Sequence, residues 1–305
     1  MYTSTKAVPR ASMEGMRRPS TLAGSVLRHT LPVFVVILLM TACSSGGATA
    51  PSPTLSPSPS PSPLPGSFVD VGGYSLWIDC QGSGSPTLIM ESGNNPDDHS
   101  PDVWLAVAPD LLETNRVCFY DRAGNGWSDR RPDHRVTVAA MVSELDALLA
   151  AEGIHPPYIL VAHSFGGVVA RAFTIAHPSE VTGMVLVDAL WEGPSRSGND
   201  DGGSVIDASG LDGLRFQSLP LAVVSSESPS YWGSDLVLHT QHQEHLAKLS
   251  SNVTHVVSTT SGHYVMREEP DLVLEAIREV VHADRFGSPL PPCQDAFPAL
   301  GGTCP

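Results

Sequence analysis

Ser164 stands in a stretch whose residue types could carry nucleophilic catalysis. It is the centre of Ala162-His163-Ser164-Phe165-Gly166, with the apolar run Tyr158–Ala162 before it and Gly167 to Ala176, which reads as a helix, after it. A serine hydroxyl is a weak nucleophile until it is exposed and a base takes its proton. A G-x-S-x-G pattern between strand and helix supplies the exposure. The turn is strained, the hydroxyl projects from the sheet edge, and small residues two before and two after keep strand and helix from clashing. Ala162 replaces the first Gly of the pattern and is the next smallest choice. His239, His242 and His245 recur every three residues, a spacing that could present imidazoles to a metal. The preferred reading is a connecting helix with its polar side outward. No metal site is expected, since the C-x-x-C pairs and Cys/His spacings typical of zinc are absent.

These residues need a scaffold. Tyr74–Asp79, Pro86–Glu91, Val117–Tyr120, Tyr158–Ala162, Met184–Val187, Leu221–Val224 and Thr254–Val257 read as strands. Thr137 can cap a helix whose apolar face is Val138, Met141, Val142, Leu145, Leu148 and Leu149, with Gly153 ending it. After Pro270 a last helix places Val273, Ile277, Val280 and Val281 on one side. Continuous apolar strands alternating with helices imply an α/β fold with a mostly parallel sheet covered on both faces.

With a strand before Ser164 and a helix after it, Tyr74 to about His282 resembles the α/β-hydrolase superfamily. The likeness is to the branch carrying a D-R-A-G-x-G-W-S-D signature, here Asp121-Arg-Ala-Gly-Asn-Gly-Trp-Ser-Asp129. The resemblance implies a doubly wound, eight-stranded sheet in a domain of about residues 67–285, with a short lid at about 190–219 and no cofactor. It places the base after the last strand, where Ser261-Gly262-His263 stands; a His titrates near neutrality and can pass the serine proton to a leaving group. His163 is expected only to line the site. The oxyanion hole is expected from the backbone N–H groups of Phe165 and of Asn94, the latter in Ser92-Gly93-Asn94, where the family often has His-Gly-x. For the acid, Asp188 at the end of the sixth strand is favoured, with Glu227 and Asp235 after the seventh left open. The signature is read as a scaffold loop near the site. The family's strand order makes the second and fourth strands neighbours, which implies a Cys80–Cys118 disulfide. Cys293 and Cys304 can close a short loop in the tail, residues 286–305.

The rest of the chain points to export. Arg17, Arg18 and Arg28 flank the apolar core Leu31 to Met40, which is short for a membrane span, so residues 1–42 read as a signal peptide. Leu39-Met40-Thr41-Ala42-Cys43 resembles the bacterial lipobox, with Met40 where Leu is usual, so Cys43 is the expected lipidation site. Alternating Ser and Pro to about Gly66 would form a semi-stiff tether. The protein is therefore expected at the cell surface or in the periplasm, held to the membrane through Cys43. The net charge is −15, and the first 42 residues carry +4, which leaves −19 for the remainder. A domain so acidic repels nucleic acid. The expected activity is hydrolysis of small or soluble carboxylic esters through an acyl-enzyme, because the lid stretch is rich in Gly, Asp and Ser and lacks a large apolar surface. The alternatives are a peptidase, a lactonase, a C–C hydrolase, or a non-catalytic surface-binding protein, whose signature would be loss of Ser164 or His263.

Overall fold

A computed structural model describes residues 66–133, 137–191 and 215–305. The expected signal segment, Cys43 and nearly all of the tether lie outside the described residues, as does most of the stretch read as a lid. The strands are β1 (Ser67–Asp70), β2 (Ser75–Gln81), β3 (Thr87–Glu91), β4 (Val117–Tyr120), β5 (Tyr158–His163), β6 (Val181–Val187), β7 (Leu221–Ser226) and β8 (Val253–Ser258). They form one eight-stranded sheet in the order β1-β2-β4-β3-β5-β6-β7-β8. β2 pairs antiparallel with β1 and β4, and every other pairing is parallel. The helices are α1 (Ser100–Trp104), α2 (Ala108–Leu112), α3 (Val138–Ala151), α4 (Gly166–Ala176), α5 (Pro229–Trp232), α6 (Leu236–Ala247), α7 (Val265–Glu268), α8 (Pro270–Phe286) and α9 (Cys293–Ala296).

β3, β4, β5 and β7 are buried at every position, so their central residues read as apolar runs with no solvent side, and polar residues enter only at the strand ends. Alternate residues feed two cores. Leu88, Met90, Val161, Val185 and Val224 pack with residues of α1, α2 and α8. Ile89, Leu160, Ala162, Leu186 and Val223 pack with residues of α3 and α4. α3 begins at the expected cap, where the Thr137 hydroxyl oxygen accepts from the Ala140 N–H at 3.2 Å. α8 buries Val273, Ile277, Val280 and Val281.

Three features were not legible. β1 shows half-burial alternating with exposure over four residues, too little pattern to detect. β6 starts at Val181, ahead of the apolar run at Met184, because Gly183 lets α8 lie close to the strand: a Cβ there would fall 2.5 Å from Val280 Cγ1. The tail joins the core, with Phe297 fully buried and Thr303 exchanging two 2.8 Å backbone hydrogen bonds with Val257. Cys80 and Cys118 are register partners on β2 and β4 and form a disulfide, and Cys293 is bonded to Cys304.

The topology locates the site. From β3 the chain passes to β4 on one side, while β5 lies on the other. Connections that leave the carboxyl ends of two such strands diverge and open a crevice. The segment after β3 carries Ser92 to Asn94, and the segment after β5 carries Ser164.

Candidate active site

Ser164 follows β5 at once, with φ +54°, in the left-handed region. A non-glycine residue held there costs about 1–3 kcal/mol, so the surroundings must enforce it. They do so through backbone. The Ser164 N–H donates to Val187 O at 3.1 Å, and its carbonyl accepts from the N–H groups of Gly167 at 3.0 Å and Leu190 at 2.9 Å. A Cβ on Gly166 would lie 2.6 Å from Ser92 O, and one on Gly167 would lie 2.5 Å from Ala189 Cβ. The small residues of the motif are thus required by the neighbouring loops as well as by strand and helix.

His263 lies between β8 and α7. Its Nε2 is 2.9 Å from Ser164 Oγ and its Nδ1 is 2.7 Å from Asp188 Oδ2. With the proton on Nδ1, the ring donates to the carboxylate and keeps the Nε2 lone pair for the serine hydroxyl. Asp188, directly after β6, is also left-handed, with φ +45°. Its carboxylate is fully buried and accepts from the Ser226 N–H at 2.8 Å, the Ser226 hydroxyl at 3.1 Å and His239 Nε2 at 2.9 Å. Burial opposes ionisation of this carboxyl, but the hydrogen bonds from His239 and His263 outweigh it, so its pKa lies below the usual carboxylate value. Glu227 is half-buried, and its backbone N–H pairs with Ser258 O. Asp235 is exposed at the start of α6. Among the described residues, only the Asp188 carboxylate bonds to His263.

His163 does more than line the site. It is buried, and its Nε2 donates to the backbone oxygen of His263 at 2.9 Å, tying the turn after β5 to the loop that carries the candidate base. Burial, reinforced by the nearby His263, pushes its pKa down to about 3, so it is neutral at physiological pH.

The loop after β3 passes over Ser164. A Cβ on Gly93 would lie 3.3 Å from Ser164 Cβ. Arg122 of the signature loop is buried and donates to the carbonyls of Ser92 and Gly93 and to the Glu91 carboxylate. Asp121 accepts from the backbone N–H groups of Ser100 at 2.8 Å and Trp127 at 3.0 Å. The signature therefore braces the segment that leads to Asn94. Among the described residues, neither the Asn94 nor the Phe165 N–H has a backbone acceptor.

Residues 86–210 match the family model described as the α/β hydrolase fold. The structural neighbours share the same architecture. An esterase from Thermogutta terrifontis superimposes with a TM-score of 0.53 at 21% identity, covering 71% of this chain and 97% of that one. A meta-cleavage product hydrolase from Pseudomonas fluorescens gives 0.56 at 18% identity, covering 70% and 98%. This is an α/β-hydrolase fold. In sequence, the chain is similar to the Bacillus subtilis protein YqjL, 26% identical over 220 aligned residues, with 66% of this chain and 85% of that protein covered. A 2-hydroxymuconate semialdehyde hydrolase from Pseudomonas is 36% identical over 110 residues, 35% of this chain and 37% of that enzyme. A Schizosaccharomyces pombe protein is 36% identical over 126 residues, and there the chain spans only 22% of the relative's length.

One expectation is corrected within this fold. The histidines of α6 do not share an outward polar face. His239 is buried, points at Asp188 and stacks on Trp232 with ring centroids 3.8 Å apart. His242 is half-buried and His245 exposed. The period of α6 puts His239, Gln243 and Leu246 on the inner side, where His239 meets Asp188 and the Gln243 Nε2 donates to Ala189 O at 2.8 Å. Low hydrophobicity hides such a face from a sequence reading. Arg122 could have been singled out from its place inside the signature; Ser226 carried no signal.

Proposed function

We propose that the chain is a serine hydrolase that cleaves carboxylic esters of small or soluble substrates, with Ser164 as nucleophile, His263 as base and Asp188 as its orienting acid. The observation that carries this reading is the continuous contact from Ser164 Oγ to His263 Nε2, 2.9 Å, and from His263 Nδ1 to Asp188 Oδ2, 2.7 Å. In the proposed reaction Ser164 Oγ attacks the ester carbonyl as its proton passes to His263 Nε2. The N–H groups of Phe165 and Asn94 would hold the oxyanion, and the buried Asp188 charge stabilises the imidazolium. His263 then protonates the departing alcohol. Water, deprotonated by His263, attacks the acyl-enzyme and releases the acid and free Ser164.

A second reading is favoured by one observation, the 36% identity with a 2-hydroxymuconate semialdehyde hydrolase. The same groups would then cleave a C–C bond next to a carbonyl. Comparing turnover of p-nitrophenyl acetate with that of a ring-cleavage dienoate separates the two.

A fluorophosphonate probe is expected to label Ser164, and Ser164→Ala to lower kcat for p-nitrophenyl acetate by about a million-fold. Activity within tenfold of the parent would sink the assignment. We also propose that Cys43 is lipidated and holds the domain at the membrane surface, which the basic flank, apolar core and small residues before it support. N-terminal mapping of the exported protein is expected to begin at residue 43 with an acylated Cys; a free start elsewhere would contradict it.

A further inference from the structure

Asp188 serves two imidazoles, although a single base needs one. Oδ2 faces His263 Nδ1 at 2.7 Å and Oδ1 faces His239 Nε2 at 2.9 Å. We propose that His239 is a positioning residue of the site, which holds Asp188 from the side opposite His263 and, by binding a proton of its own, sets the pH at which His263 is free to act as a base. This deepens the serine-hydrolase reading and rests on it.

The arrangement around His239 is built. The ring is buried and lies flat on Trp232, with an interplanar angle of 13°. Trp232 Nε1 donates to Ser226 Oγ at 2.8 Å, and Ser226 in turn donates to Asp188. His239, Trp232, Ser226 and Asp188 thus close a ring of contacts. One turn further along α6, Gln243 holds the carbonyl of Ala189. The helix therefore grips the segment after β6 at two adjacent residues, and the left-handed Asp188 has little freedom to leave His263.

The charges explain the second half of the proposal. A carboxylate accepts only, so a neutral His239 must donate its Nε2 proton to Oδ1. A second proton on His239 makes it a cation beside the same carboxylate. Two cations that share one negative charge oppose each other, so each proton makes the other harder to bind. The groups that face this pair come from several elements: Asp188 after β6, His163 at the end of β5 with its ring centroid 4.6 Å from that of His263, Glu268 bonded to the Gly262 N–H, Tyr231 of α5, and His242 on α6 itself. Among the described residues, Asp188 is the only carboxylate hydrogen-bonded to His239. Burial, and to a lesser degree the neighbouring His239 and His245, push the His242 pKa down. On this proposal, a proton on His239 makes one on His263 harder to bind, which would extend activity to lower pH. Without His239, the acid limb of activity moves up.

The test uses the full chain, with p-nitrophenyl acetate as substrate and histidine-selective ¹⁵N NMR as a readout that needs no turnover. His239→Gln keeps a donor and removes the charge; His239→Leu removes both. In His239→Gln the acid limb of kcat/KM and the His263 titration midpoint are expected to rise together, by about half a pH unit or more. His239→Gln is expected to retain about tenfold more kcat than His239→Leu. In the parent, the His263 and His239 signals are expected each to show the other's titration step, a measurement that stands even if a variant fails to fold. Identical acid limbs in parent and variants, or single-step titrations in an active parent, would overturn the coupling alone. Coupled titrations in a parent that neither hydrolyses the ester nor takes the fluorophosphonate probe would instead overturn the hydrolase reading, and the positioning role with it.

Discussion

The turn that carries Ser164 and the rim that carries Asp188 and His263 hold their residues by different means. Ser164 and Asp188 share one unusual feature, a left-handed backbone at a non-glycine residue. At Ser164 the conformation is enforced by backbone and by absent side chains: three main-chain hydrogen bonds, and glycines with no room for a Cβ. At Asp188 it is enforced largely through polar side chains brought from β7, α6 and the loop after β8. The first region is a packing solution, intolerant of added volume. The second is a hydrogen-bond solution, intolerant of lost partners.

That contrast can be broken most directly at Asp188. Asp188→Asn keeps the volume and removes the charge, and an amide facing His263 Nδ1 favours the wrong tautomer. The expected loss in kcat is about 10⁴-fold, with the Ser164 turn intact and still labelled by a fluorophosphonate at a reduced rate. If Glu227→Gln or Asp235→Asn is the inactive variant instead, the rim is organised around another carboxylate and the comparison fails on that side.

The packing side is sharpened by the smallest possible addition. Gly166→Ala places a methyl 2.6 Å from Ser92 O and 2.7 Å from Glu91 O, both main-chain atoms. Overpacking of this kind costs about 1–3 kcal/mol, which urea denaturation would read as a lower midpoint. The displaced loop also carries the Asn94 N–H, so kcat is expected to fall even where the fold survives. Unchanged stability together with unchanged kcat would show that the turn is not constrained by volume.

The legible parts of the molecule share a local cause. Tyr158–Ala162 is apolar throughout because a central parallel strand is buried on both faces, and the Ser164 turn follows within the same ten residues, so strand, turn and helix are all written contiguously. The caps of α3 and the stripe of α8 are local in the same sense. β1 and the early start of β6 were missed because their signal lies in their partners: β1 is defined by its ladder to β2, and β6 by the close approach of α8 to Gly183.

By itself, the sequence determined the alternation of strands and helices, the strained turn that presents Ser164, and the candidacy of His263 in the loop before the last helices. Only the tertiary structure decided which carboxylate meets His263, since Asp188, Glu227 and Asp235 have the same chemistry and differ only in where the sheet puts them. It likewise turned His239 inward. The reason is sequence distance: Asp188 lies 51 residues from His239 and 75 from His263, so no local pattern can encode their meeting. It arises when parallel pairing of β6, β7 and β8 brings the carboxyl ends of those strands to one edge.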